Sequence, residues 1–241
     1  MSHEIGILQP GFLPWLGFFE QMHRVQTFVV LDDVQHTKQD WRVRNRIRSD
    51  SPEGFTWLSV PVRKHRVEAQ VRDIEVSYDH DWTRKHLNLI HQYYAKAPYF
   101  EAVFPELKRI LGMKPASLVD LDMQLTVMIA SFFSISAQIV YSSSLRVPGR
   151  KTEKLVNICK AVEATALYDG WSAQNFIEQG LFEQAGIGLV YQKYVPLAYP
   201  QMYSPFMGYL SALDLLLNCG PDSLSVLVDG AATVVAVPSR S

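Results

Sequence analysis

Cysteine is nearly absent from this chain. The two present among 241 residues, Cys159 and Cys219, stand far apart and fit neither a metal-ligand nor a redox spacing. A disulfide scaffold is thereby excluded, and a reducing, cytoplasmic setting is the expectation. An excess of charge of one sign is also lacking: 23 Lys and Arg against 24 Asp and Glu leave a formal net charge of -1, so no general field for nucleic acid exists and charge-driven chemistry has to be local. No run of about twenty apolar residues is found, so no membrane span is expected. The apolar N-terminal stretch has no basic start and is broken by Pro10, Gly11 and Pro14, which argues against a secretory leader. Missing too are Gly-x-Gly-x-x-Gly, the P-loop, Gly-x-Ser-x-Gly and His-Glu-x-x-His. Ordinary dinucleotide enzymes, P-loop kinases, serine hydrolases and zincins are disfavoured accordingly.

What is present suits an α/β domain. Hydrophobic residues make up 48% and charged residues 20%, and the length is ample for one core, so 1-241 is read as a single domain. Ile5 to Leu8 reads as a short buried strand stopped by Gln9-Pro10-Gly11. Pro14 is placed at a first helical position, and Leu16, Phe19 and Met22 recur at helical spacing. Thr27 to Leu31 is an apolar second strand ending in Asp32-Asp33. The carboxyl ends of parallel strands are where open α/β sheets bind ligands, which brings Gln9, Pro10, Asp32 and Asp33 into one candidate site. Directly afterwards Gln35, Lys38, Trp41, Arg42, Arg44, Asn45, Arg46 and Arg48 crowd guanidinium, amide and indole groups together, and arginine forks suit carboxylate and phosphate oxygens.

Further along, Phe55 to Val62 and Val71 to Val76 read as strands of a β insertion near residues 55-76. A helical segment near 82-134 follows, opened by Asp81 as N-cap, stopped at Ala97-Pro98, and tolerating Pro105 only where a helix breaks or restarts. Ala137 to Tyr141 reads as a strand ending in Ser142-Ser143-Ser144, again a site-like loop. From Arg150 helices and strands alternate: helix 152-162, strand 166-168, a loop at Asp169-Gly170-Trp171-Ser172, helix 173-185, strand 189-191. Such alternation predicts a mostly parallel, Rossmann-like sheet with helices on both faces. The Pro- and Tyr-rich stretch 194-205 is expected to wrap the surface or cover a cleft, Asp214 needs a partner if buried, and the apolar tail 231-237 has no assigned place.

Several spaced motifs resemble the WbqC-like protein family: Gln9-Pro10-x-Phe12-x-Pro14-x-x-Gly17-x-Phe19, Leu31-Asp32-Asp33-Val34-Gln35, Trp41-x-x-Arg44-Asn45-Arg46-Ile47 and Ser142-Ser143. The resemblance runs from Ile5 to about Gly220, through Lys96-Ala97-Pro98-Tyr99-Phe100, Tyr168-Asp169-Gly170 and Leu213-Asp214-Leu215-Leu216, and departs from the family pattern at Trp171-Ser172-Ala173. It implies a biosynthetic role of the kind suggested for O-antigen clusters, a glycine or acyl transfer to sugars. A looser analogy links the strand, Pro-rich turn, helix, strand order to pantothenate synthetases and related nucleotidyltransferase-like enzymes. Pro14-Trp15-Leu16-Gly17 stands where those carry an HxGH element.

The main expectation is an acyl or aminoacyl transferase forming an amide on an amino sugar or similar amine. Asp32 serves as general base or metal-orienting acid, Asp33 holds the arginine cluster, and Arg44 and Arg46 take a phosphate or carboxylate of the donor. Gln9 and Asn45 supply neutral hydrogen bonds, and Trp15 and Trp41 wall the pocket. His86 is a candidate general base if it faces the Gln9 turn. Pro10, Gln35, Lys38, Ser142, Ser143 and Asp169 complete the candidate binding residues, and no metal-ligand set is assigned. ATP with magnesium and acyl-CoA both remain open as cofactors. The expected partner is a small molecule, a nucleotide-linked sugar or a carrier-tethered acyl group, with a homodimer left open and nucleic acid ranked last. The alternatives are an ATP-dependent carboxylate-amine ligase and a non-catalytic scaffold in which Asp32 and Arg44 form a structural ion pair.

Overall fold

The computed structural model describes residues 3-37 and 40-238. In chain order the strands and helices are β1 Glu4–Leu8, α1 Leu16–Arg24, β2 Thr27–Val30, β3 Arg44–Arg48, β4 Phe55–Ser59, α2 Trp82–Tyr94, α3 Phe100–Met113, α4 Leu118–Phe132, β5 Gln138–Tyr141, α5 Ser142–Leu145, α6 Lys151–Ala161, β6 Ala166–Gly170, α7 Gln179–Ala185, β7 Gly188–Tyr194, α8 Ala212–Cys219, α9 Ser223–Asp229 and β8 Ala231–Val237. Six strands form one sheet in the order β5-β2-β1-β6-β7-β8. All neighbours run parallel except β7 and β8. The architecture is α/β and Rossmann-like.

Alternation along the strands splits the core in two. Ile5, Ile7, Val29, Leu167 and Leu189 face α6 and α7, while Phe28, Val30 and Tyr168 belong to the cluster built with α1, α3, α4 and α8. Apolar side chains on both faces explain the near-continuous hydrophobic reading of β1 and β2. The chain leaves β1 towards β2 on one side and returns through β6 on the other, so the sheet's switch point lies between β1 and β6.

Four local expectations are corrected. The tail 231-237 is β8, which closes the sheet by antiparallel pairing with β7. Residues 71-76 are not a strand: Val71–Asp73 is a 3-10 turn, and only isolated bridges such as Val62 to Val76 surround it. The β excursion starts earlier than residue 55, because Arg44–Arg48 pairs antiparallel with Phe55–Ser59 in a separate two-stranded sheet. Basic residues on a short hairpin hide their strand character from a period-two reading, since Arg48 is buried along with Asn45 and Ile47 while Arg44 and Arg46 are half-buried. Finally, α3 runs unbroken through Pro105. A helix anchored by five buried apolar side chains absorbs the loss of one backbone bond.

Asp214 is buried with its partners supplied. Tyr94 and Tyr199 donate to its two oxygens at 2.6 and 2.7 Å and the Gln201 amide donates at 2.8 Å, tying α2 and the 194-205 stretch to α8. Among the described residues no helix is long and apolar enough to cross a membrane.

Candidate functional site

At the carboxyl ends of β1 and β6 lies a cavity of about 570 Å3, at the switch point where ligands of such sheets bind. Its floor is Ile7, Leu8 and Leu31, and its polar lining comes from Gln9, Asp40, Arg42, Asn45, Arg46, Asp169 and Ser172. Trp15, Phe18, Trp41, Phe176 and Tyr209 make an aromatic wall and rim. Trp41, Tyr209 and Phe176 keep 51%, 50% and 65% of their surface in solvent, so the mouth carries aromatic rings about half open to water.

Several local devices hold this shape. The helix α1 starts at Leu16, two residues later than the Pro14 expectation, with extended Trp15 at its N-cap. The indole then folds back over Gly17, where an added Cβ would meet the ring at 2.4 Å, so only glycine allows that placement. Leu13 and Tyr209 adopt the left-handed region at φ 46 and 57°, a costly conformation for side-chain-bearing residues that is over-represented at functional turns. Tyr209 stacks on Trp15 with ring centres 5.8 Å apart. The Asn45 amide is buried and fully engaged, donating to the Leu13 carbonyl at 2.7 Å and accepting from the Arg46 backbone at 2.8 Å. It staples the proline turn to the hairpin.

Two guanidinium groups enter the cavity. Arg42 donates to the Gln9 side-chain carbonyl and pairs with Asp40. Arg46 sits between aromatic rings, 4.9 Å from Phe55 and 5.6 Å from Trp41, and donates to the Tyr209 carbonyl at 3.0 Å. Its Nε is buried without a partner. Burial lowers the pKa of both arginines, meaning that each charge is poorly solvated and gains from an anionic ligand.

The acids divide sharply. Asp169 is buried at the end of β6, accepts a bond from the Gly170 backbone at 2.7 Å, and has its pKa pushed up to about 7 by burial, which that bond only partly offsets. Asp32 and Asp33 end β2 but do not line the cavity. Asp32 accepts from the Ser143 backbone at 2.9 Å, the Ser143 hydroxyl at 2.7 Å and the Ser142 hydroxyl at 3.0 Å. Asp33 shares that one Ser142 hydroxyl proton, its oxygen being the nearer at 2.5 Å, and accepts from the Lys154 ammonium at 2.7 Å. Burial raises the Asp33 pKa, but the Lys154 and Ser142 bonds outweigh it and hold the carboxyl below its usual value.

Other placements differ from expectation. Asp33 holds Lys154 rather than the arginine cluster, and Asp32 binds the two serines rather than Arg44. Arg44 lies outside the cavity, its guanidinium 4.6 Å from the Trp57 ring centre. The serine loop is a one-turn helix, α5. Gln35 is exposed and donates to the Val67 carbonyl. His86 does reach the underside of the proline turn, 5.9 Å from Phe12, but it is buried, accepts from the Ser59 backbone at 3.2 Å, and does not line the cavity. Burial drives its pKa down to about 4. Pro10 lines the cavity, and Lys38 lies outside the described residues. Lys154 was missed because a lysine in a helix reads as solvent-facing, although its neighbour one turn on, Ile158, is a core residue. Tyr209 and Phe176 carry no local signal at all.

The model of the WbqC-like protein family matches residues 9–226, a span that contains every lining residue of the cavity except Ile7 and Leu8. The chain belongs to the WbqC-like protein family. It is also 31% identical over 223 residues to the "Uncharacterized protein Rv1507c" of Mycobacterium tuberculosis (strain ATCC 25618 / H37Rv), covering 91% of this chain and 95% of that protein. No solved structure matches. The family match thus includes both acid clusters, the Gln9-Pro10 turn and the Arg44–Arg48 hairpin.

Proposed function

We propose that this WbqC-like protein is an acyl or aminoacyl transferase that forms an amide on an amino sugar or similar amine in surface-polysaccharide or related biosynthesis. The observation that carries the reading is a carboxyl with a near-neutral pKa, Asp169, sharing one cavity with the Gln9–Arg42 pair and the half-buried Arg46. An acid titrating near the operating pH is suited to proton transfer with an amine, and general acid–base groups of this kind contribute about 10²–10⁴-fold to rate.

In this mechanism the amine attacks the carbonyl of an activated acyl donor, a thioester or acyl phosphate. The new C–N bond forms as the bond to the leaving group breaks, and the leaving thiolate or phosphate takes the electron pair. Asp169, ionised, accepts the proton lost by the amine. Arg42 and Arg46 bind the anionic part of the donor, where their poor solvation makes an anion welcome. Gln9 orients the acyl group, and the aromatic rim of Trp41, Tyr209 and Phe176 supports the ring of the acceptor. Asp32 and Asp33 act one layer behind, as the clamp that holds α5 and α6 at the ends of β2 and β5.

Binding can be tested before chemistry. Melting curves with ATP and magnesium, acyl-CoA or nucleotide-linked amino sugars should show a rise with one class that disappears in Arg46→Ala, since a ligand of the native state alone raises the melting point. Mass spectrometry of mixed donor and acceptor should then find the amide with the native chain and not with Asp169→Asn. A well-folded protein giving neither a shift nor an amide across the panel would sink the transferase reading.

A further inference from the structure

The hairpin of β3 and β4 has two unlike faces. One carries Asn45, Ile47 and Leu58, all buried. The register sets Arg44 opposite Ser59, Arg46 opposite Trp57 and Arg48 opposite Phe55, so strand alternation collects three arginines and two aromatic rings on the other face. That second face is open at one end only. Arg48 is buried and donates to the carbonyls of Gly54, Tyr203 and Pro205, so the 203-205 stretch covers its end. At the other end Arg44 and Arg46 are half-buried and Trp57 is 38% exposed. The open end adjoins the cavity mouth: Arg46 and Trp41 line the cavity, and the ring centres of Trp41 and Trp57 are 5.6 Å apart.

Both open guanidinium groups lie against one indole, Arg44 at 4.6 Å and Arg46 at 5.8 Å from the Trp57 ring centre. Among the described residues neither pairs with a carboxylate, whereas Arg42 has Asp40. Two cations held side by side without a counter-charge repel each other, and an anion that bridges them removes the repulsion. A half-open ring beside them gives a flat apolar surface to whatever planar group that anion carries.

We propose that the open end of this hairpin face binds a nucleoside diphosphate, the handle by which a substrate is held while its reacting end passes Trp41 into the cavity. Arg44 and Arg46 take the diphosphate, and Trp57 stacks the base. Coenzyme A on an acyl donor and a nucleotide-linked sugar as acceptor both carry this chemistry. The site deepens the transferase reading and rests on it for the reaction served, but not for its test.

Isothermal titration calorimetry on the whole chain reads the site without turnover. ADP, UDP and coenzyme A are titrated beside AMP, UMP and inorganic pyrophosphate. One of the first three is expected to bind at least tenfold tighter than the matching monophosphate and than pyrophosphate. Arg44→Gln, at a residue outside the cavity, should lower that affinity at least tenfold. Trp57→Leu should remove the advantage over pyrophosphate while leaving pyrophosphate binding as it is. Coenzyme A binding tightest assigns the handle to the donor, and a nucleoside diphosphate binding tighter than coenzyme A assigns it to the acceptor. Melting curves check that each variant is folded, and should Trp57→Leu not be, the Arg44→Gln comparison decides. No binding by any probe, pyrophosphate binding as tightly as the nucleotides, or affinities unmoved by Arg44→Gln overturns the site. So does a single-stranded RNA oligomer that binds tighter than every mononucleotide, which would give the face to nucleic acid. These affinities do not depend on amide formation, so failure here and failure of the transferase are distinguishable.

Discussion

The ends of β2 and β6 offer a comparison within one molecule. Both strands flank β1, both point their carboxyl ends at the same edge, and both carry aspartate there, Asp32 and Asp33 just beyond β2 and Asp169 next to last in β6. Beyond β2 the acids are well supplied: Asp32 takes two bonds from Ser143, Asp33 takes the buried Lys154, and the two share the Ser142 hydroxyl. At β6 the Asp169 side chain has one bond, from its own neighbour's backbone, and faces a cavity. Residue type is the same and depth is similar, so the environment alone separates Asp33, held ionised beside Lys154, from Asp169 with its pKa pushed up to about 7. The lesson is that the most conspicuous acids in a sequence can be engaged in holding the fold, while the acid that faces the cavity is conspicuous only by what it lacks.

The comparison breaks most visibly at Asp169. Replacing it with Asn should cut amide formation by about 10²–10⁴-fold with the fold intact. Its stability signature runs opposite to that of an ordinary paired acid. The folded pKa is raised to about 7, so native protein holds a proton that the unfolded chain has lost, and stability falls as pH rises from about 4 to 7. Asp169→Asn should therefore lack that decline, and denaturant titrations at pH 5 and pH 8 would reveal it. A variant that loses several kcal/mol at both pH values would place Asp169 with the structural acids instead.

Lys154→Met should do the reverse, costing on the order of 3–5 kcal/mol by leaving Asp33 buried without its cation. Asp33 has a lowered folded pKa, so its contribution is present above the unfolded value and is lost as pH falls through the lower, folded one. The deficit of Lys154→Met should shrink over that acidic range, as urea midpoints would record. Asp32→Ala is expected to cost somewhat less, about 2–3 kcal/mol, because neutral serine donors and one backbone N–H are left unmatched. Ser142→Ala is the mildest test, about 1 kcal/mol, since Ser143 and Lys154 still hold the two acids. Amide formation that survives Lys154→Met in the remaining folded protein, while failing in Asp169→Asn, would sharpen the division into clamp and chemistry.

Much of this architecture was legible in the residues themselves. The apolar runs at β1 and β2, the Gln9-Pro10-Gly11 stop, the Asp81 cap and the alternation after Arg150 specify local elements through sterics and periodicity, which need no distant partner. The edge of the sheet on which the cavity lies followed from the same signals, because a strand's carboxyl end is fixed once its direction is known. Less was legible in the 41-76 region, where side chains that look like a binding cluster are divided between a hairpin, an arginine stacked on Trp57 and a turn pinned by Asn45.

The sequence by itself determined the parallel sheet, its helices, and the sheet edge at which the cavity opens, since those depend on backbone geometry and the burial of periodic apolar faces. Tertiary structure alone decided which acid is quenched and which is poised. Lys154 lies 121 residues from Asp33, Ser142 lies 110 from Asp32, and the Tyr209 that stacks on Trp15 comes from the far end of the chain. Partners that distant leave no mark on local pattern, yet solvation and hydrogen bonding by them set a carboxyl's charge.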